Sequence, residues 1–240
     1  MSIAVFYHPN PQETPFLNEE ESFHATKVLR LKSGQIIQIL DGKGKKYQAE
    51  LENVDSRKST FSNLTLINHA ENPPYKIHLI IAPTKQMERM EWMVEKCTEF
   101  GIHSIHFIQS RYSERKEIKL NRLEKIAISA LKQSKNLFLT EIHAIQPIKS
   151  FYQLKTDSSK DQKLFAFITS DPIKSLIKSI DANKEYYVMI GPEGDFSKEE
   201  SQELLKNEWK PFHLGNSILR TETAGIASTL AINLFHEKDN

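Results

Sequence analysis

From Gln35 to Leu40 the chain reads QIIQIL, and from Lys46 to Leu51 polar and apolar side chains alternate. A period of two gives a strand one apolar and one polar face. Asp41-Gly42-Lys43-Gly44, between the two runs, is a hairpin signal. Phe61 to Ile67 predicts a further strand, with Leu64 and Leu66 set among polar neighbours. These short runs predict a small β-barrel over residues 1–71. Asn72-Pro73-Pro74 then interrupts the pattern, because consecutive prolines suit neither a helix nor a sheet interior. A second domain is expected over residues 72–240.

Beyond the prolines the pattern becomes strand, helix, strand, helix. Ile77 to Ala82 is almost wholly apolar, as a buried parallel strand is. Residues 86–100 predict a helix whose apolar face carries Met90, Val94, Cys97 and Phe100; Glu91, Glu95 and Glu99 line another face, and Gly101 marks the stop. Ser104 to Ile108 reads as a strand and residues 121–135 as a helix. Residues 155–163 read as a polar loop, followed by strands at Leu164 to Ile168 and Tyr186 to Ile190. Ser197 with Glu200 is a capping box that opens a helix. A short strand ends at Leu214-Gly215, and a last helix runs from Glu222 to Phe235. Such alternation predicts an α/β domain with a mainly parallel sheet.

Composition narrows the class. At 240 residues, 39% hydrophobic and 26% charged, the chain can bury a core and is not generally disordered. The run Ile3 to Phe6 is too short for a signal-peptide core, and nothing approaches a membrane span. The one cysteine, Cys97, cannot form an internal disulfide, which fits a reducing, cytoplasmic compartment. Cys97 also lies on an apolar helix face, which favours core over nucleophile. The nine histidines are scattered with no metal-ligand spacing, so no metal is expected.

Net charge is only +1, but it is unevenly spread. Residues 24–58 hold eight basic and four acidic side chains, and residues 111–135 eight basic and three acidic. Residues 185–210 reverse the balance, with seven acidic and three basic. The two basic stretches are either one phosphate-binding surface or ordinary solvated lysine.

Two turns carry the candidate chemistry. In YYVMIGPEGDF, residues 186–196, a buried strand runs straight into Gly191-Pro192-Glu193-Gly194. Glycines let a ligand approach the backbone, and the carboxyl end of a strand is where open α/β sheets bind ligands. A plain strand-to-helix connector has the same pattern. No Walker loop or Gly-x-Gly-x-x-Gly fingerprint is present, so nucleotide and dinucleotide sites lack support. The second turn lies in HLGNSILRTETA, residues 213–224. Thr221 is placed to cap the last helix, and Glu222 suits its positive end. Arg220 and Glu222 are either a surface ion pair or part of a cofactor clasp.

GPEGDFS and LGNSILRTETA together resemble the cofactor half of the RsmE family, bacterial 16S ribosomal RNA uracil-N3 methyltransferases of the SPOUT superfamily. HATKVLRLKSGQ at 24–35, Lys85 with EWMVEKCTEFGI at 91–102, SRYSER at 110–115 and ALKQS at 130–134 match the rest of the family pattern in order. The resemblance implies a PUA-like β-barrel that binds RNA, a SPOUT domain with a carboxy-terminal trefoil knot, and a homodimer. It implies S-adenosylmethionine as cofactor, at Gly191, Pro192, Glu193, Gly194, Leu214, Gly215, Ile218, Leu219, Thr223 and Ala224. Arg115, Arg220 and Glu222 are the catalytic candidates, with Arg111 a further cation and Glu193 a further carboxylate near the chemistry. His24, Lys27, Arg30, Lys85, Arg111 and Lys135 are the RNA-contact candidates; for His24 a packing role in the barrel stands beside this. The expected partner is 16S rRNA or the small ribosomal subunit. The rivals are a SPOUT enzyme for another RNA and an RNA-binding module without activity. Two departures stand out: Asp195 replaces a usual second glycine, and Lys135-Asn136 replaces an arginine usual two residues after the Gln-Ser pair.

Overall fold

The computed structural model describes residues 3–73, 75–155, 157, 159–169, 172–182 and 185–237. They fall into two compact units, Met1–Pro73 with Ile128–Leu139, and Pro74–Ala127 with Thr140–Asn240. Of the proline linker, Pro74 lies outside the described residues.

The first unit holds one sheet of four strands, β1 (Ala4–Tyr7), β2 (Ile36–Leu40), β3 (Lys45–Asn53) and β4 (Thr60–His69), in that spatial order. The hairpin forms as its sequence predicts, with Ile37 opposite Ala49 and Ile39 opposite Tyr47. Asp41 Oδ1 organises the turn by accepting the Lys43 and Lys45 N–H groups at 2.7 and 2.9 Å. Gly44, at φ +104°, is needed there: a Cβ would meet the Ala70 carbonyl oxygen at 2.2 Å. Alternate side chains of the sheet, Ile37, Ile39, Tyr47, Ala49 and Leu51, join Phe6, Leu17, Ala25 and Phe61 in a closed core.

Two elements of this unit carry weak periodic signals. β1 is a four-residue edge strand parallel to β2. Helix α1 (Glu19–Phe23), capped by Asn18 Oδ1 on the Glu21 N–H at 2.8 Å, continues into a π-helical turn at His24–Val28. The wider turn buries Ala25 and leaves Lys27, Val28, Leu29 and Arg30 exposed.

The second unit is built on six parallel strands: β5 (Lys76–Ile81), β6 (Ser104–Gln109), β7 (Glu141–Pro147), β8 (Asp161–Ala166), β9 (Glu185–Ile190) and β10 (Lys210–Phe212). Their order is β10-β8-β9-β5-β6-β7. The central β5 and β9 are the near-continuous apolar runs, as burial on both faces requires. One face packs Ile80, Ile108, Phe165 and Met189 with Leu204 and Trp209. On the other, α7 (Thr221–Glu237) packs against β5 and against α2 (Met87–Glu99). Gly225 makes that approach possible: a Cβ there would lie 3.1 Å from both Ile81 Cδ1 and Leu79 Cδ2. Cys97 is wholly buried beside Thr229, and burial pushes its thiol up to about 12, so it is core.

Three sequence readings need correction. β8 begins at Asp161, inside the expected loop, and ends at Ala166. Its polar start is tolerated because buried Gln162 accepts the Asp181 N–H and donates to the Ser179 carbonyl. β10 ends at Phe212 rather than Gly215, because the pairing partner of Phe212 is Ala166, the last residue of β8. β7 has no counterpart in the sequence reading: as an edge strand it buries only Ile142. After the short helices α4 (Lys149–Tyr152) and α5 (Leu176–Ser179), helix α6 (Lys198–Lys206) opens on the expected capping box, with Glu200 Oε2 accepting the Ser197 N–H at 2.8 Å.

Candidate cofactor site

The carboxyl ends of β8, β9 and β10 open into loops that enclose a cavity of about 610 Å³. Each wall follows from local sequence. β9 stops at Gly191-Pro192 because proline cannot extend the ladder. β10 stops with its partner strand, releasing residues 213–220. The two turns meet: Thr221 Oγ1 donates to the Gly191 carbonyl at 3.1 Å. Gly191, Pro192, Glu193, Leu214, Gly215, Ile218, Leu219 and Ala224 all line the cavity, so most of the predicted cofactor residues converge there. Gly215 has φ +125° and no heavy atom within 4 Å of a built Cβ, so it faces open space. Ile218 is 78% exposed, an apolar side chain at the rim.

Two predicted cofactor residues stand elsewhere. Gly194 does not line the cavity; its missing side chain makes room for Tyr112, whose Cβ lies 3.2 Å from a built Cβ. Thr223 does not line the cavity, although Thr221 and Ala224 on either side of it do.

The sequence reading missed the third wall, formed by Ala166 to Thr169 with Pro172 and Ile173, and it singled out Asp195 as a departure from the family pattern without placing it in the cavity. Asp195 sits at φ +60°, the left-handed conformation a glycine would adopt freely. Its carboxylate accepts the Phe196 N–H at 2.8 Å and the Ile168 N–H at 3.2 Å, tying the β9 turn to the chain after β8. Burial raises the Asp195 pKa, and the two N–H groups oppose this.

The catalytic candidates separate. Arg220 is exposed and lines the cavity. Arg115 instead donates to the Thr84 carbonyl at 3.2 Å and the Lys85 carbonyl at 2.5 Å, stapling the loop after β5. Glu222 is buried outside the cavity, with Arg89 Nε 3.7 Å from Oε1. It is therefore neither a surface ion pair with Arg220 nor a cavity wall.

Among the RNA-contact candidates, Lys27 is exposed on the π-helical turn and Arg30 just beyond it, and the partly buried His24 meets the core residue Phe6 edge-on. Lys135 is exposed at φ +61° and ends α3 (Leu120–Ser134) with its N–H on the Leu131 carbonyl, 2.9 Å away. Lys85 lies 3.5 Å from Glu114, and Arg111 3.1 Å from Glu199, all of them exposed. Exposed pairs of this kind hold their partners only weakly.

The RNA methyltransferase domain family matches residues 71–233, and the RNA methyltransferase PUA domain family matches residues 17–62. The chain belongs to the RsmE family of RNA methyltransferases. Ribosomal RNA small subunit methyltransferase E of Buchnera aphidicola is 29% identical to it over 224 residues, covering 90% of this chain and 86% of that protein. A crystal structure from Porphyromonas gingivalis, described as a "probable rRNA-methyltransferase", superposes with a TM-score of 0.92 at 33% identity over 99% of this chain and 100% of that one. Ribosomal RNA small subunit methyltransferase E of Neisseria gonorrhoeae, solved bound to S-adenosyl methionine, gives 0.83 at 26% identity over 97% and 98%. Both turns singled out in the sequence fall within the 71–233 match to this RsmE chain, and they share one cavity. Among the described residues of this RsmE chain no helix is long and apolar enough to cross a membrane, and no group of three His, Cys, Asp or Glu is arranged to hold a metal ion.

Proposed function

We propose that this protein transfers a methyl group from S-adenosylmethionine to N3 of one uridine in small-subunit ribosomal RNA. The observation that carries the reading is the cavity at the strand carboxyl ends, built from both signature turns. Its chemistry fits the cofactor: apolar Leu214, Ile218, Leu219 and Ala224 suit an adenine ring, and Glu193 and Asp195 complement a cationic ligand. Bound S-adenosylmethionine supplies an electrophilic methyl on a positively charged sulfur. The protein's own contribution is to hold the acceptor nitrogen in line and exclude water. Arg220, exposed at the cavity, places a guanidinium where it favours loss of the uracil N3 proton to solvent as the uridine binds, by stabilising negative charge on the ring oxygens. The uridine must be unpaired, because pairing occupies N3.

In this reading residues 1–71 are the RNA-binding PUA-like barrel and residues 72–240 the SPOUT domain with its trefoil knot. Support for the knot comes from the family alone. Lys27, Arg30, Lys85, Arg111 and Lys135 hold phosphates, so RNA affinity falls steeply with salt. The enzyme is a cytoplasmic homodimer joined through α7, where Leu230 and Leu234 are 36% and 48% exposed. A monomer active at assay concentration would refute the dimer.

The test has two arms. Calorimetry should show S-adenosylmethionine binding to the purified chain. Small-subunit RNA from a strain lacking this methylation, incubated with enzyme and cofactor, should gain 3-methyluridine by nucleoside mass spectrometry. Methylation confined to ribose, or to transfer RNA, would overturn the substrate assignment.

A further inference from the structure

The turn Ser110 to Ser113, which follows β6, is braced from both sides. The Ser110 N–H donates to Ser113 Oγ at 2.9 Å, the Ser113 N–H donates to the Ser110 carbonyl at 3.2 Å, and the two hydroxyls lie 3.0 Å apart. Glu200, itself buried, fastens the turn to α6. Its Oε1 accepts the Arg111 N–H at 2.8 Å while Oε2 accepts the Ser197 N–H at 2.8 Å. One carboxylate thus holds both the capping box after the Gly-Pro-Glu-Gly loop and the turn beside it.

At the tip of this turn stands Tyr112. Its Cβ and Cγ lie 3.2 and 3.5 Å from a Cβ built on Gly194, so the residue is packed against the loop that walls the cavity. Its side chain nevertheless remains 49% exposed. The Arg111 guanidinium lies over the ring, 5.9 Å from its centroid, and is itself held by Glu199 at 3.1 Å. A lone exposed aromatic is ordinary on a protein surface. What sets Tyr112 apart is an immobilised backbone, a cation over the ring, and a place against the cofactor loop. A ring fixed in advance loses little entropy when a flat ligand stacks on it.

We propose that Tyr112 stacks an unpaired base of the RNA substrate, the target uridine or its neighbour, and so orients the acceptor at the methyl donor. This rests on reading the cavity as the cofactor site. Stacking suits a flipped base, since every base offers a π-face, and Arg111 adds a cation for the phosphate or the ring. Tyr112 is accordingly a positioning residue that acts on the substrate and not on the cofactor.

Methylation of small ribosomal subunits should be compared for the parent, Tyr112→Ala, Tyr112→Phe and Tyr112→Trp, with S-adenosylmethionine affinity measured alongside. Tyr112→Ala should lower kcat/KM by about 5- to 100-fold, the range expected for one stacked base. The Phe and Trp variants should restore most of it, and cofactor affinity should stay within about twofold throughout. On a short synthetic RNA carrying an abasic site at the target or the adjacent position, the parent should lose affinity and Tyr112→Ala should lose no more. Full activity of Tyr112→Ala, failure of Phe to rescue, or cofactor affinity falling in step with activity would each overturn the stacking role. An inactive parent would instead strike the proposed function, so the two failures are distinguishable.

Discussion

Arg115 and Arg220 look alike in the sequence but stand in different surroundings. Arg115 spends its donors on the Thr84 and Lys85 carbonyls, whereas Arg220 is exposed at the cavity. At saturating RNA and cofactor, Arg220→Ala should lower the single-turnover rate by about 10²-fold, the size expected for one donor to a developing anion. RNA affinity should remain near normal. Arg115→Ala should instead lower the melting temperature, and Arg115→Lys should not restore it, since an ammonium lacks the fork that spans two carbonyls. Gly194 also needs a revised role. Gly194→Val should weaken S-adenosylmethionine binding by driving the loop off Tyr112, 3.2 Å away, not by filling ligand space. If so, calorimetry on Gly194→Val combined with Tyr112→Ala should recover much of the lost affinity. A double variant as weak as Gly194→Val alone would mean that the glycine serves the ligand directly.

At the scale of elements, α7 links the core to the site. Its amino-terminal residue Thr221 bonds the Gly191 carbonyl, Ala224 faces the cavity, and Gly225 touches Leu79, Ile81 and Met93. A branched side chain at Gly225 has nowhere to go without lifting the helix from β5. Gly225→Val should therefore destabilise the protein by about 1–3 kcal/mol in urea unfolding, the usual range for overpacking a filled core. Because the helix carries the cavity wall, cofactor affinity should fall as well. An unchanged unfolding midpoint would show that the helix packs more loosely than these distances indicate.

In the second unit as a whole, the sheet carries an unusual load of imidazole. His78, His103, His106 and His143 come from three neighbouring strands and their approaches; His106 stacks on His143 at 4.1 Å, and His78 stacks on Tyr187 at 4.5 Å. His78 is held between Ser104 Oγ at 2.6 Å and Glu185 Oε1 at 2.7 Å. Burial, followed by the neighbouring histidines, lowers the His106 pKa to about 3. Burial likewise lowers His78, against its bond to Glu185, and His103. With folded values below the ordinary 6.5, the unfolded chain binds more protons between pH 6.5 and 3. Stability from this cluster is complete above pH 6.5 and drains away as pH falls toward 3. The melting temperature should drop across that window, and His106→Gln should flatten the drop. An identical pH profile for the variant would remove His106 from the account.

The sequence alone determined what depends on neighbours along the chain. The Asp41–Gly44 hairpin, the Ser197–Glu200 capping box, the apolar strands β5 and β9, and the apolar face of α2 all rest on contacts within a few residues or on burial of a whole run. Their periodicity is therefore visible in one dimension. The family motifs were legible for a related reason: each is one contiguous run of the chain. Polar strand β8 was not legible, because Gln162 is acceptable there only with Ser179 and Asp181 beside it. Nor was β7, whose edge position buries too little to leave a pattern. The third cavity wall, the bond from Asp195 to the Ile168 N–H, the withdrawal of Arg115 and Glu222 from the cavity, and the place of Tyr112 against Gly194 join residues distant in sequence. Only the packed chain sets those distances, because the hydrogen bonds and contact surfaces that fix them do not exist until β8, β9 and α7 have come together.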